Sequence, residues 1–359
     1  MPYLSDLQIN SFTMIVKLVR KNVKAMRPYT SARMLYQSGV FFDANENALG
    51  SAVALPGISE LNRYPDPYSR ELRKALGIFL NVSERNVFAG NGSDEIIDLL
   101  IRIFVNPGES VLVIEPTYGM YKVAAETAGA GVQSCSLNDN FQIDVQSVLN
   151  STTPQTKIIF CCSPNNPTGN LLRAEDIKEL CKRFKGIVVV DEAYIEFASK
   201  PSLAEKVADF ENLVVLRTFS KIWGLAGIRV GYAIANEQVV QYLDKIKAPY
   251  NINRISSALA VKALAEKATV AEFKDIILQE RGRMEKRFKE MGFAVFPSDA
   301  NFLLVRYPTA STIAKKLADE SALIIREFGS KKLLENCVRI TVATPEQNDL
   351  LLAAIKKLI

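Results

Sequence analysis

Histidine is absent from this chain of 359 residues. Its absence excludes the Ser-His-Asp mechanism of hydrolysis, Cys-His proteolysis and metal sites that use imidazole ligands. A catalytic base must then be a Lys, Asp, Glu, Tyr or Cys side chain. We therefore expect a site built on such a side chain, and we expect no metal.

Long apolar runs and blocks of like charge are also absent. The apolar runs are strand-sized, as at 187–190, whereas a membrane helix needs roughly 20 apolar residues. The net charge is +5 with acidic and basic residues interleaved, which does not indicate a nucleic-acid-binding stripe. We expect neither a membrane nor a nucleic acid as a partner.

Cysteine is scarce, and no apolar signal-peptide core is present at the N-terminus. The five cysteines are odd in number and scattered, and the adjacent Cys161 and Cys162 lie in an apolar run, which is typical of reduced core residues. The stretch 17–27 is basic and lacks acids, as transit peptides do, but a surface helix or arm is the better interpretation. We expect a cytoplasmic protein.

The composition provides for a large core, because 48% of the residues are hydrophobic. We expect an N-terminal arm that joins the small domain (1–40), a large domain (41–250) and a small C-terminal α+β domain (251–359). Short β-branched runs alternating with helical stretches predict strands at 87–90, 111–114, 157–162, 187–190, 213–216 and 229–235. The pattern favours an α/β fold with a mostly parallel sheet covered by helices on both faces.

The pattern changes after residue 249. A long helical stretch at 255–291 precedes a strand at 301–306, a helix at 311–321, two short strands around Ile324 and Arg339, and a closing helix from 345. In the large domain, Asn166, Asp191 and Lys221 each follow the end of a predicted strand. Because ligands of open α/β sheets bind outside the carboxyl ends of the strands, we expect a site there.

Lys221 lies in the run 217–232, which ends an apolar strand and continues into a turn rich in small residues. A lysine in this place is suited to form a Schiff base. The hydroxyls of Thr218 and Ser220 and the cation of Arg229 are suited to hold an anion beside it. An aldehyde and a phosphate occur together in pyridoxal phosphate (PLP), which is therefore the predicted cofactor.

Three further segments contribute candidate cofactor contacts. Ser93, Asp94 and Glu95 open a helix after a strand, where free amides bind phosphate, although an ordinary N-cap is the plainer interpretation of the segment alone. Asp191 ends a strand and could pair with a protonated pyridine nitrogen, or it could simply cap the next helix. Tyr194 and Asn166 could bond the ring oxygen, although the Asn166 segment also reads as a turn.

Aromatic and basic residues complete the candidate site. Tyr118 could stack on the pyridine ring, and Tyr64 could reach a phosphate only across a dimer; alone, each is a packing or surface residue. Arg339 lies in an apolar strand and needs an anion, which suits an acidic group of a substrate. For Arg326, a salt bridge with Glu327 or another acid is about as good an interpretation.

Taken together, these residues resemble the fold-type I PLP-dependent aminotransferases and, among them, the histidinol-phosphate aminotransferase family. The run Thr218-Phe219-Ser220-Lys221, followed by 224–231, is specific for the superfamily, and the segments 28–33 and 45–47 narrow the resemblance to the family. The resemblance covers essentially the whole chain and implies the PLP-dependent transferase fold type I. One departure is Ala48, where the family often has proline.

The resemblance implies a role for each matching residue. Lys221 would form the Schiff base and move the proton, Asp191 would pair with the ring nitrogen, and Tyr194 would contact the ring oxygen. Substrate binding would involve Tyr29, Asn45, Glu46, Arg326 and Arg339. The family is a homodimer with shared active sites, so Tyr64 would come from the partner subunit.

The implied reaction moves an amino group between L-histidinol phosphate and 2-oxoglutarate, giving imidazole acetol phosphate and glutamate, in histidine biosynthesis. Threonine-phosphate decarboxylase and a broad aromatic aminotransferase share the fold and remain alternatives. A regulator that binds PLP without catalysis is a further alternative. The presence of Lys221, Asp191 and Arg229 argues against it.

Overall fold

The computed structural model describes residues 14–25 and 60–359. Within these residues, the α-helices are α1 (Met14–Leu18), α2 (Lys21–Ala25), α3 (Arg70–Leu80), α4 (Gly92–Phe104), α5 (Met120–Thr127), α6 (Val145–Asn150), α7 (Ala174–Arg183), α8 (Glu237–Ile246), α9 (Arg254–Ala265), α10 (Lys267–Glu290), α11 (Ala310–Ser321) and α12 (Pro345–Leu358). The strands are β1 (Val87–Gly90), β2 (Ser110–Glu115), β3 (Gly131–Ser136), β4 (Thr156–Cys162), β5 (Ile187–Asp191), β6 (Leu213–Thr218), β7 (Gly231–Ala235), β8 (Ala294–Val295), β9 (Phe302–Arg306), β10 (Arg326–Glu327) and β11 (Cys337–Thr341). None of the described helices is long and apolar enough to cross a membrane.

The large sheet has seven strands in the order β1-β7-β6-β5-β4-β2-β3. The strands from β6 to β3 in this order pair in parallel, whereas β7 runs antiparallel to both β1 and β6. Alternate residues of β5 face two separate cores: Val188 and Val190 lie in one, and Ile187 and Val189 lie in the other. The predicted mostly parallel sheet, covered on both faces, is therefore confirmed.

The N-terminal helices lie on the large domain. Ile15, Val19 and Val23 recur at helical spacing and are buried in the same core as α4 and α8. The backbone N–H of Arg20 donates to the carbonyl of Ile103 at 3.0 Å. The described part of the expected arm therefore packs on the large domain, because its apolar stripe fills that core, and the joining of the arm to the small domain stays a prediction.

The small domain is a four-stranded antiparallel sheet in the order β10-β11-β9-β8, packed against α10, α11 and α12. The predicted helix at 255–291 is two helices, α9 and α10, which meet at Glu266. The short strand expected around Ile324 lies at Arg326–Glu327 instead. The closing helix from Pro345 is confirmed, and its first turn has a capping box formed by Thr344 and Gln347.

Candidate active site

Three parallel strands bring their carboxyl ends to one edge of the large sheet. β4, β5 and β6 are neighbours, and the register pairs Cys162 with Asp191 and Asp191 with Leu216. Asp191 is the last residue of β5, and the segments after β4 and β6 carry Asn166 and Lys221. The predicted convergence of these residues at a sheet edge therefore follows from the parallel pairing.

Lys221 lies in the loop that follows β6, and its side chain is partly buried. Its Nζ lies 5.2 Å from the centroid of the Tyr194 ring. Burial lowers the pKa of Lys221, and the positive charge of Arg339 lowers it further, whereas Asp191 acts in the opposite direction. A lowered pKa increases the fraction of neutral amine, which is the form that attacks a carbonyl and accepts a proton.

Asp191 is 4% exposed and is held by two neutral donors. The hydroxyl of Tyr121 donates to its Oδ2 at 2.8 Å, and the backbone N–H of Ala193 donates to its Oδ1 at 3.1 Å. Burial is the main cause that raises the pKa of Asp191. The carboxylate therefore lies where a cationic partner would stabilise it.

Tyr121 is a site residue that the sequence did not reveal. It lies in α5, is completely buried, and stacks on Phe160 with ring centroids 4.7 Å apart. A buried tyrosine in a helix has the appearance of a core residue. The available signal was its place one helical turn after Tyr118, whose ring it contacts edge-on.

The start of α4 packs directly on the start of β7. A Cβ at Gly231 would lie 2.3 Å from the backbone nitrogen of Ser93, and a Cβ at Gly92 would lie 2.6 Å from a guanidinium nitrogen of Arg229. Gly92 also has a φ of +76°, which L side chains rarely adopt. Two glycines therefore permit the first amides of the helix and the Arg229 cation to lie together, as a phosphate site requires.

Asp94 links this helix start to two other predicted residues. Its Oδ1 accepts a hydrogen bond from the Tyr118 hydroxyl at 3.1 Å, and its Oδ2 lies 3.4 Å from the Arg229 guanidinium. In the adjacent loop, the Thr218 hydroxyl accepts from the backbone N–H of Ser220 at 3.1 Å and lies 3.0 Å from its hydroxyl. The carboxylate of Glu95 is bonded differently, to the side chain of Asn251 at 2.9 Å and to the backbone N–H of Asn91.

Residues of the small domain contact the candidate site from the side of Tyr194 and Asn166. The Tyr194 ring meets Phe302 edge-on at 5.1 Å, and the guanidinium carbon of Arg339 lies 5.2 Å from the centroid of the same Phe302 ring. Arg339 also donates a hydrogen bond to Oδ1 of Asn166. Burial raises the pKa of Tyr194, which keeps its hydroxyl protonated and able to donate.

Arg326 lies directly opposite Arg339 in the pairing of β10 with β11. Like charges at opposed positions on antiparallel strands are unfavourable unless an anion lies between them. The alternative for Arg326 was a salt bridge with Glu327 or another acid. Arg326 forms none with Glu327 or with any other acid of the described residues, and acids outside them leave the alternative untested. Burial lowers the pKa of Arg339, and the charge of Arg326 lowers it further. The two cations together suit a doubly charged ligand.

The other predicted contacts are placed differently or lie outside the described residues. The Tyr64 ring stacks on Tyr250 with centroids 4.5 Å apart and is 46% exposed. Tyr29, Asn45 and Glu46 lie outside the described residues. Their roles and that of Tyr64 stay predictions.

The groups around Lys221 fit the predicted cofactor. Asp191 is buried, and no cation of the described residues lies within ion-pair distance of it. A protonated pyridine nitrogen supplies that cation, an aldehyde suits the Lys221 amine, and a phosphate suits Arg229 and the amides at the start of α4. The residues present therefore match PLP in charge and in chemistry.

Comparison with known proteins supports an aminotransferase, the class of enzyme that the site residues indicate. Residues 46–355 match the family model described as aminotransferase class I and II. The histidinol-phosphate aminotransferase of Parabacteroides distasonis is 44% identical over 346 residues, which cover 95% of this chain and 98% of that protein. The enzyme of the same name from Cytophaga hutchinsonii is 43% identical over 344 residues, which cover 94% of this chain and 97% of that protein.

Solved structures are similar over most of their length. The histidinol-phosphate aminotransferase of Sinorhizobium meliloti, in complex with pyridoxal-5'-phosphate, has a TM-score of 0.79 and 28% identity, covering 88% of this chain and 90% of that one. L-threonine-O-3-phosphate decarboxylase of Porphyromonas gingivalis has a TM-score of 0.69 and 22% identity, covering 83% and 91%. At 22% identity, the similarity to the decarboxylase shows the fold alone.

Proposed function

This chain belongs to the class I and II aminotransferase family, and on that premise we propose the reaction that it catalyses. It is a fold-type I transaminase that depends on PLP. It moves an amino group between L-histidinol phosphate and 2-oxoglutarate, giving imidazole acetol phosphate and L-glutamate, in histidine biosynthesis. The observation that carries the choice of substrate is the opposed pair Arg326 and Arg339, which has no acidic partner among the described residues and suits a phosphate dianion.

The geometry supports the cofactor contacts that we propose. Ser93, Asp94, Ser220 and Arg229 would hold the phosphate together with the amides at the start of α4, and Asn166 and Tyr194 would donate to the ring oxygen. PLP, when bound, supplies an electron sink for the charge left on the substrate carbon. Lys221 would hold the aldehyde and then move the proton from that carbon. Asp191 would keep the ring nitrogen protonated.

Both acidic substrates need a cationic site. In one half-reaction Arg326 and Arg339 would bind the phosphate of L-histidinol phosphate, and in the other they would bind a carboxylate of glutamate. By resemblance, Tyr29 would assist them, and Asn45 and Glu46 would line the imidazole pocket. The same resemblance supports a cytoplasmic homodimer in which the exposed Tyr64 reaches the partner subunit's cofactor phosphate.

The test of the function is the absorbance spectrum of the purified, PLP-loaded protein before and after addition of L-histidinol phosphate without a keto acid. We expect the visible band to be lost, the band of the aminated cofactor to grow, and 2-oxoglutarate to reverse the change. A visible band that does not respond to L-histidinol phosphate would contradict the substrate. Release of carbon dioxide would then indicate the decarboxylase, and turnover of phenylalanine or tyrosine the aromatic aminotransferase.

Replacement of Arg326 by glutamine tests the anion site. Loss of a hydrogen bond to a charged group removes about 1.5–3 kcal/mol, so we expect KM for L-histidinol phosphate to rise about 10- to 100-fold, with a smaller change in kcat. Steady-state kinetics of both substrates measure this. Glu327→Gln, at the next position of the same short strand, is the matched control and should leave KM unchanged. An unchanged KM in Arg326→Gln would exclude Arg326 from phosphate binding.

A further inference from the structure

Asp299 connects two loops of the large domain to the small domain. It lies in the segment before β9, and its backbone N–H donates to the carbonyl of Gly169 at 2.7 Å. Its Oδ1 accepts a hydrogen bond from the backbone N–H of Ser199 at 3.0 Å, across a sequence separation of 100 residues. One residue of the small domain thus bonds the main chain of two separate loops.

Each of these loops carries a predicted donor to the cofactor ring oxygen. Gly169 closes the turn that contains Asn166, through its own N–H bond to the carbonyl of Asn165 at 2.7 Å. Ser199 belongs to the loop that follows Asp191, the last residue of β5, and contains Tyr194. Glu192 anchors the same loop further along by accepting a hydrogen bond from the backbone N–H of Leu203 at 2.7 Å.

The contact at Gly169 is close. Gly169 has a φ of +83°, and a Cβ there would lie 2.7 Å from the hydroxyl oxygen of Ser298. The hydroxyl of Ser298 in turn donates to the carbonyl of Phe302 at 2.6 Å, and Arg281 of α10 donates to the carbonyl of Ala300 at 2.9 Å. The segment 298–302 is therefore held at several points and continues into Phe302, the ring that both Tyr194 and Arg339 contact.

We propose that Asp299 is a positioning residue, which sets the places of Asn166 and Tyr194 relative to Lys221 through hydrogen bonds to their loops. This inference rests on the proposed PLP-dependent function. Asp299 does not touch the reacting atoms. Its effect passes through the two ring-oxygen donors and through Phe302.

Asp299→Ala should therefore change a property of the bound cofactor. Hydrogen bonds from Asn166 and Tyr194 would favour the anionic form of the ring oxygen, so weaker donation from these residues would raise the pH at which the visible band titrates. We expect the pH midpoint of the visible band to rise by roughly 0.3 to 1 pH unit. This is the pKa shift that corresponds to the net free energy of one hydrogen bond. The charged groups that act on Lys221, namely Arg339, Asp191, Asp94 and Arg229, are unchanged in the variant.

The experiment compares three PLP-loaded variants with the wild-type protein by pH titration of the visible band, and compares their apoproteins by thermal unfolding. Asp299→Asn keeps an acceptor for the Ser199 N–H and should keep the wild-type midpoint. Lys332→Ala removes a different bond between the domains, from Lys332 Nζ to the Ser136 hydroxyl at 3.4 Å, and should not move the midpoint.

A raised midpoint in Asp299→Ala alone supports the positioning role. A wild-type midpoint in Asp299→Ala, or an equal shift in Lys332→Ala, would overturn it, whatever happens to the unfolding temperature. If the wild-type protein forms no visible band with PLP, the proposed function itself fails, and that outcome is recognised before any variant is compared.

Discussion

Lys221→Ala is expected to lower turnover of L-histidinol phosphate by at least about 10⁴-fold, because one side chain would supply both the amine that holds the aldehyde and the base that moves the proton. Burial and the nearby Arg339 charge lower the pKa of Lys221, so the amine is already tuned for both tasks. The variant should still fold, since Lys221 is only partly buried and its described contact is the face of the Tyr194 ring. Single-turnover kinetics with L-histidinol phosphate measure the loss.

A second lysine provides the matched control. Burial lowers the pKa of Lys247 to about 8, but its Nζ donates to the carbonyls of Pro67, Ala248 and Pro249 at 2.6, 3.1 and 3.0 Å. Its ammonium is thus occupied by the backbone. We expect Lys247→Ala to lower the unfolding temperature and to keep turnover in the protein that remains folded. Partial rescue of Lys221→Ala by a small added amine would confirm the loss of a base, and a fully active Lys221→Ala protein would refute the assignment.

The sequence predicted the large sheet well because its central strands are short apolar runs with a polar residue at the end. β5 and β6 are buried along their whole length, so nothing in them competes with the strand pattern. β3 (Gly131–Ser136) was not predicted, because it is an edge strand with mostly half-exposed or exposed residues and lacks such a run. The strand expected at 229–235 begins at Gly231, because Arg229 has a φ of +54° and cannot continue it.

The predicted cofactor residues are brought to one edge of the sheet, but their mutual contacts could not be derived from the sequence. The bond between Arg339 and Asn166 spans 173 residues, and the bond between Tyr121 and Asp191 spans 70. Such pairings depend on how the small domain and α5 pack on the sheet, which no local pattern specifies. Glu95 shows that closeness in sequence can also mislead. It was predicted as a cofactor contact beside Asp94, but its carboxylate accepts a hydrogen bond from the side chain of Asn251.

Asp191→Asn is expected to lower turnover by roughly 10²- to 10⁴-fold, because removal of one partner of a buried charge pair costs about 3–5 kcal/mol. The amide fits the same contacts: its oxygen can accept from the Ala193 N–H, and its nitrogen can donate to the Tyr121 hydroxyl, which serves equally as donor or acceptor. The variant therefore changes charge with little change of shape. Parallel measurements of kcat and of PLP affinity record the loss.

Although Asp191→Asn should lower turnover, we expect it to raise the thermal stability of the apoprotein. Burial raises the folded-state pKa of Asp191, so its contribution to stability is present below the pKa of the unfolded chain and is lost as pH rises through the folded-state value. At neutral pH, which lies above the pKa of the unfolded carboxyl group, the burial of Asp191 therefore destabilises the cofactor-free protein, and asparagine removes that penalty. We expect Asp191→Asn apoprotein to unfold at a higher temperature than wild type at pH 7 and to lose this advantage in acid. An apoprotein that is less stable at pH 7, with turnover preserved, would mean that Asp191 serves the fold as a turn cap and not the cofactor ring.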